Sequence, residues 1–329
     1  MTPTATVAIP TLLADASLRK CMDGLRAQTR RDFEIVVIDN SGCGLATGLG
    51  EDVRVLPMSH NVGYGAAVNR AFNASSAPFL VTLNDDTYPC PGWFAALVAA
   101  AESDPQVGMC ASQVVLDARA LDSAGMLIYG DGSSKQRGHG DPPESYRQTE
   151  EVLFPSASAA LYRRAMLDQI GLFDEDFFLY CEDTDLGLRA QRAGWRCLYV
   201  PEARIEHRYS HSAGRVSKLK AYYVERNRIF VAMKNFPLRM LALLPVYGTA
   251  RYFAHVMSAF SGSGKSGSFE GGIAGMLGIV LRSHIDLLLA SPRIFRQRTW
   301  IHSTARISDG EFARLLSRHS TTARALAEH

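Results

Sequence analysis

Phe79-Leu80-Val81-Thr82-Leu83-Asn84-Asp85-Asp86-Thr87 is the stretch that decides the fold class of this chain. Its first five residues are apolar or β-branched without interruption, the composition of a strand covered on both faces, as in parallel sheets. The run then ends in an amide and two carboxylates. These acids stand at the strand's carboxyl end, the edge at which open α/β sheets bind their ligands. A second acidic group, Phe178-Leu179-Tyr180-Cys181-Glu182-Asp183-Thr184-Asp185, follows about a hundred residues later, and the two read as halves of one site.

Outward from this strand the pattern alternates. Thr6-Val7-Ala8-Ile9-Pro10 reads as a buried strand and 15–27 as an amphipathic helix; Phe33 to Ile38 is a second strand that turns out through Asp39-Asn40-Ser41-Gly42. A short strand at 53–56 precedes Asn61-Val62-Gly63-Tyr64-Gly65, which opens a helix reaching about Asn73. This order predicts a mainly parallel α/β sheet covered on both faces. Beyond a helix at 92–102, strands are expected at 107–115, 125–129, 159–162 and 196–200, and a helix at 183–193 capped by Gly194. The polar, turn-rich segment 131–149 reads as a mobile loop, and from Lys218 the pattern is mostly helical with a Gly/Ser-rich break at 261–272.

The chain is 47% hydrophobic and 21% charged, the balance of a folded globular protein. Six cysteines without a CxxC pair fit reduced thiols in the cytoplasm and argue against structural zinc. The net charge of +2 conceals an asymmetry: residues 1–203 carry 16 Lys+Arg against 26 Asp+Glu, and residues 204–298 carry 15 against 4. An acidic part that holds a phosphorylated ligand needs a bridging cation, whereas the basic, apolar part suits an anionic surface. Nucleic acid is not expected as a partner, since no recognisable module or arginine-rich helix with stacking aromatics is present. Neither a signal peptide nor a spanning helix is expected: the best apolar stretches, 238–260 and 273–290, are interrupted by Arg239, Arg251 and His255 and by Arg282, His284 and Asp286.

Each candidate group has a functional and a plain reading. Mg2+ or Mn2+ takes oxygen ligands in octahedral array and keeps positions for substrate phosphates, so Asn84-Asp85-Asp86 suffices as an anchor; the same acids could simply cap a turn. Glu182-Asp183 opens a helix, where the macrodipole favours carboxylates; Asp183 either caps that helix or serves as general base toward a hydroxyl. The glycines of 61–65 either start an ordinary helix or let the backbone approach a nucleotide. His207 is a lone histidine at the end of a predicted strand.

Ile9-Pro10-Thr11, Val37-Ile38-Asp39-Asn40-Ser41, the stretch from Asn61 to Asn69, Leu83-Asn84-Asp85-Asp86-Thr87, Gly171-Leu172-Phe173-Asp174-Glu175 and the segment from Phe178 to Asp185 occur in the order seen in family 2 glycosyltransferases. The chain resembles the rhamnosyltransferase-type branch of that family over about residues 5–235, and the ordered set is specific although each motif alone is modest. The resemblance implies a GT-A fold, Rossmann-like with a mostly parallel central sheet, a nucleotide-diphosphate sugar donor (dTDP- or UDP-linked) and inversion at the anomeric carbon. It assigns Asp39 to the nucleoside, Pro10, Thr11, Asn61, Gly63, Gly65, Asn69, Asn84 and Asp85 to nucleotide binding, Asp86 and His207 to Mg2+ or Mn2+, and Asp183 to the catalytic base. Asn84 replaces the first acid of the family's metal motif, which leaves Asp86 as a one-carboxylate anchor. Glu182, Tyr180 and Trp195 are expected to border the acceptor, with Phe178 in the core. The implied division is a nucleotide-sugar-binding half at 1–103, an acceptor-binding half at 104–235 and a helical C-terminal segment at 236–329.

In that last segment Ile273, Met276, Leu277, Val280, Leu281, Leu287 and Leu288 follow helical spacing, and Arg293, Arg296 and Arg298 come next. The stripe suits either a homodimer or a helix lying on an anionic bilayer. The expected function is metal-dependent, inverting transfer of a hexose such as rhamnose to a hydroxyl of a bacterial surface glycan or lipid-linked acceptor, in the cytoplasm or on the inner face of the membrane. Two alternatives stand beside it. A nucleotidyltransferase would carry a glycine-rich, basic N-terminal signature that residues 10–17 lack, and the other alternative is a non-catalytic nucleotide-sugar-binding or membrane-scaffold protein.

Overall fold

The computed structural model describes residues 2–207, 218–260 and 272–328. They belong to two compact units, the first made of Met1–Met126, Gln136–Leu179 and Gly194–Ser212, the second of Leu127–Lys135, Tyr180–Ala193 and Ala213–His329.

The first unit is built on one sheet. Strands β1 (Ala5–Thr11), β2 (Phe33–Asp39), β3 (Val53–Pro57) and β4 (Phe79–Leu83) are parallel in the order β4-β1-β2-β3, with Thr11 beside Asp39 and Ala8 beside Thr82. Parallel strands need crossovers. Helix α1 (Ala16–Arg26) provides one, burying Leu18, Cys21, Met22 and Leu25 at helical spacing, while Asp15 caps its start by accepting from Ser17 N at 2.8 Å. Helix α2 (Tyr64–Asn73) provides another, and the core between sheet and helices holds Val7, Ile9, Val37, Val81 and Leu83. Each buried Val or Leu contributes about 1.5–3 kcal/mol relative to exposure.

The chain continues through β5 (Thr87–Pro89), α3 (Trp93–Glu102), β6 (Val107–Val115) and β7 (Leu121–Ser123). After the ribbon β8 (Met126–Ile128) and β9 (Ser134–Gln136) come β10 (Glu150–Val152), β11 (Ala159–Arg163), α4 (Arg164–Ile170), α5 (Glu182–Arg192) and β12 (Arg196–His207). Strand β11 enters the sheet antiparallel between β4 and β6, and β12 lies parallel to β6. β12 extends well past the 196–200 expected from sequence. It does so through Pro201 because the register against β6 jumps between Val200 and Arg204, so the residue without an N–H owes no ladder bond.

The segment expected as a mobile loop is instead fastened. In the first unit Ala124 N donates to Arg137 O (2.9 Å), Arg137 N to Gly125 O (2.8 Å) and Leu121 N to Asp141 O (2.9 Å), and the Arg137 guanidinium lies over the Tyr146 ring. In the second unit Asp131 is fully buried and accepts from Arg251 Nε at 2.6 Å.

The second unit is helical: α5 is joined by α6 (Lys218–Asn235), α7 (Leu238–Leu241), α8 (Leu244–Phe260), α9 (Gly272–Ser303), α10 (Asp309–Arg318) and α11 (Ala323–Ala327). Asp185 ties α5 to α6, meeting Lys234 Nζ at 2.9 Å and Asn235 Nδ2 at 3.0 Å while also accepting from Arg189 Nε within its own helix. The expected break at 261–272 lies outside the described residues except for Gly272. Helix α9 runs 32 residues, as the helical spacing of 273–290 implied, and contains Arg282, His284, Asp286 and, further on, Pro292. By length and composition it is sufficient to cross a membrane, and 6% of its apolar window is buried.

Candidate active site

Strand pairing in the first unit assembles three side chains from distant parts of the sequence. β5 runs antiparallel to the end of β12, with Thr87 opposite His207, so Asp86 arrives beside that histidine. β7 folds back on the end of β6, with Ser123 opposite Val114 and Leu121 opposite Val115, while Glu206 of β12 also lies opposite Val115. Asp122 therefore reaches the same ring. His207 Nδ1 stands 2.7 Å from Asp122 Oδ2, and its Nε2 stands 3.3 Å from Asp86 Oδ1. His139 adds a contact of 3.2 Å to the other Asp122 oxygen. Burial alone would lower the His207 pKa, but the bonds to Asp122 and Asp86 outweigh it and push it up to about 10.

This arrangement suits a divalent cation bound by few protein ligands. Asp122 holds Nδ1 protonated and aims Nε2 at the Asp86 carboxylate, the carboxylate–histidine pattern that orients metal-ligating imidazoles. Among the described residues no group of three or more His, Cys, Asp and Glu forms a metal cage. Asp86 and His207 would be two protein ligands, which would leave room for substrate phosphates. Beside Asp86 opens a cavity of about 230 Å³ lined by Ser17, Lys20, Thr87, Tyr88 and Glu206.

The other strand ends carry the remaining first-unit candidates. Asp85 accepts from the Thr11 hydroxyl at 2.6 Å, and burial, with the charge of Asp86 adding to it, raises its pKa to about 6. Pro10 precedes Thr11 in β1, opposite Ile38. Burial works against a charged Asp39, yet hydrogen bonds from Ala46 N (2.7 Å) and from the Ser41 hydroxyl and N–H hold its pKa below the usual range. Asn84 uses its backbone, donating to Ser158 O and accepting from the Thr87 hydroxyl.

The 61–69 stretch is held by bonds within the fold. Asn61 Oδ1 accepts from Gly63 N and from Asn40 Nδ2, both at 2.9 Å. Gly63 has φ +88°, and a Cβ there would meet the Phe178 carbonyl oxygen at 2.4 Å. Gly65 is buried in the first turn of α2. The Asn69 amide is occupied by Phe173 O (2.9 Å), Glu175 Oε1 (3.1 Å) and Phe173 N (3.1 Å), so it clamps the 173–175 segment.

Two aromatic expectations change. Trp195 precedes β12 beside the amino end of β6, because Arg196 pairs with Val107, and donates to Gln169 Oε1 at 2.9 Å. Along β12 it is roughly 30 Å from His207. Phe178 is half-buried, and its neighbour Phe177 takes the core position.

In the second unit the backbone at Tyr180 and Cys181 is left-handed, φ +67° and +66°, a conformation that costs non-glycine residues on the order of 1–3 kcal/mol each and gathers at functional sites. Asn227 Nδ2 holds it by donating to Tyr180 O at 2.7 Å. Helix α5 follows at once. Glu182, Thr184 and Asp185 are buried in its first turn, and Asp183 alone is half-exposed, with Oδ1 accepting from Thr184 N at 2.7 Å. Burial, then the neighbouring Asp183 charge, raise the Glu182 pKa to about 8, and its Oε2 makes no hydrogen bond among the described residues. Burial foremost, then the Asp183 charge, therefore favour the neutral form of Glu182. Sequence reasoning missed Asp122, His139 and Asn40.

Comparisons with known proteins agree with this architecture. A family model described as glycosyltransferase-like family 2 matches residues 3–231. A relative from Mycobacterium tuberculosis, N-acetylglucosaminyl-diphospho-decaprenol L-rhamnosyltransferase, is 32% identical over 269 residues, covering 71% of this chain and 86% of its own. Among solved structures, GalNAc-T7 with UDP, GalNAc and Mn2+ superposes with a TM-score of 0.58 at 14% identity, over 86% of this chain and 54% of that one. The mannosyltransferase PcManGT from Pyrobaculum calidifontis, in complex with GDP-Man and Mn2+, gives 0.52 at 17% identity, over 100% of this chain and 87% of that one. These two likenesses establish the GT-A fold.

Proposed function

Because the chain belongs to glycosyltransferase family 2, we propose that it is an inverting, metal-dependent enzyme that moves a sugar, rhamnose foremost, from a nucleoside diphosphate to a hydroxyl of a lipid-linked glycan. The observation that carries this reading is the facing pair Asp86–His207 at the carboxyl ends of the sheet, with Asp122 behind the histidine. The sugar and the lipid-linked acceptor are proposed from the activity named for the mycobacterial relative. A dTDP- or UDP-linked donor and a place of action at the inner face of the cell membrane go with them. The halves 1–103 and 104–235 are proposed to serve donor and acceptor.

The residues divide the work. Asp86 and His207 would hold Mg2+ or Mn2+, which when bound neutralises the charge of the departing diphosphate. Asp39, kept anionic by its own turn, and Thr11, through Asp85, shape the strand ends against which the nucleotide lies. Asp183 receives the proton of the acceptor hydroxyl as that oxygen attacks the anomeric carbon. Burial favours the neutral form of Glu182, which would keep a second negative charge away from it. Tyr180 remains the proposed acceptor contact.

The test is transfer or slow hydrolysis of dTDP-rhamnose and UDP-sugars with Mn2+ or Mg2+. Asp86→Ala removes the metal response, and Asp183→Asn lowers turnover about a hundredfold or more while nucleotide binding persists. Full activity in Asp183→Asn removes the base assignment.

A further inference from the structure

We propose that the outward face of α9 is a docking surface that lies flat on an anionic phospholipid bilayer. Leu277, Leu281, Ile285, Leu288 and Phe295 recur every three, four or seven residues and so share one face of the helix. All five are exposed, Leu288 by 72%, and Leu289 beside them by 76%. Apolar exposure on this scale marks a surface that meets another phase or partner. Trp300, near the end of the same helix, is also exposed and is a residue type that favours membrane–water boundaries.

Charge selects the occupant. The helix carries Arg282, Arg293, Arg296 and Arg298 against a single carboxylate, Asp286. Arg296 is exposed beside the apolar stripe, and Arg282 is exposed with its guanidinium over the ring of Tyr222 of α6, whose hydroxyl takes up Asp286. A second copy of this chain, paired about a two-fold axis, would set these arginines against their own kind. Anionic headgroups meet them with opposite charge, and the leucines then reach the acyl boundary.

The helix lies along the bilayer and does not cross it. Its inner side is fastened along its length: Ser283, Ile294 and Ile301 are buried, Tyr222 engages Asp286, and Arg298 Nη1 donates to Met233 O at 2.9 Å. Crossing would strip these partners away and carry Arg282 and Asp286 through hydrocarbon. The inference stands whether or not the acceptor is lipid-linked, since it concerns a surface and not the reaction.

The test is flotation of the full chain with vesicles of equal parts phosphatidylglycerol and phosphatidylcholine, against phosphatidylcholine alone, with no sugar nucleotide present. The protein should float with the anionic vesicles, partition about tenfold less onto the neutral ones, and be released by high salt or alkaline carbonate. L281E/L288E should lower partition about a hundredfold and R296Q about fivefold, with thermal unfolding midpoints unchanged because these three side chains are exposed. Absence of flotation, or equal flotation of L281E/L288E, overturns the proposal. Retention after carbonate would mean that α9 spans. Conversion of a dimer to a monomer by L281E/L288E without any change in flotation would mean that a second copy covers the face.

Discussion

Asp122→Asn tests the reading of the metal pair at a residue that would not itself touch metal. The wild-type carboxylate is buried and sits 2.7 Å from His207 Nδ1, so it keeps a proton on that nitrogen, and Nε2, on giving up its own proton, is the atom that would meet metal beside Asp86. Asparagine keeps the size but loses the charge, and its amide N–H can donate to Nδ1. That choice moves the ring proton to Nε2 and turns the ligand atom into a donor pointed at Asp86. Loss of an outer partner of this kind costs about 10–100-fold in metal affinity, or about 1.4–2.7 kcal/mol. Titration calorimetry with Mn2+ in the presence of nucleoside diphosphate measures it directly. Binding should also strengthen as pH rises toward about 10, since the proton on His207 competes with metal. If Asp122→Asn binds Mn2+ as the wild type does while His207→Ala does not, the histidine is oriented by something other than Asp122 and the reasoning fails.

Two further outcomes concern the frame around the site. The Glu182 carboxyl is raised from 4.5 to about 8, so the folded state binds its proton more tightly than the unfolded chain does. Its contribution to stability is present below pH 4.5 and lost as pH rises through about 8, a pH dependence that Glu182→Gln should abolish in urea denaturation followed across that range. Gly63→Ala should destabilise by about 2–4 kcal/mol, from a left-handed backbone and a clash with the Phe178 carbonyl, read as a lower urea midpoint; an unchanged midpoint would show that the α2 entrance yields freely.

Much of this architecture was legible in the sequence because it is written in local patterns. The apolar runs at 79–83 and 107–115 coincide with β4 and β6, and the acids after β4 stand at the edge that the pattern implied. What escaped was set by register over long separations. Asp122 is a lone acid in a three-residue strand, and only the fold-back of β7 on β6 brings it to a histidine 85 positions away. Trp195 misled for the complementary reason: its closeness in sequence to β12 says nothing about which end of that strand faces the ligand. Asn69 and Gly63 carried motif identity, yet their atoms are committed to Phe173, Glu175 and Phe178. The turn-forming composition of 131–149 signalled irregular backbone but not the hydrogen bonds that fix it.

The three rungs joining β5 to the end of β12 have a consequence for how such a protein can diversify. Because Asp86 and His207 are spaced by the ladder of a sheet and not by the turns around them, the turns at neighbouring strand ends can be lengthened, shortened or exchanged without retuning the pair. A single residue inserted between Asp86 and Thr87 would be different in kind: it would displace the acid by one step of the pleat and turn it to the opposite face. Recombination that swaps the neighbouring turns is therefore tolerated where a one-codon insertion is not, and chimaeras cut outside 86–89, 121–123 and 205–207 should keep the proposed metal pair and the carboxylate behind it.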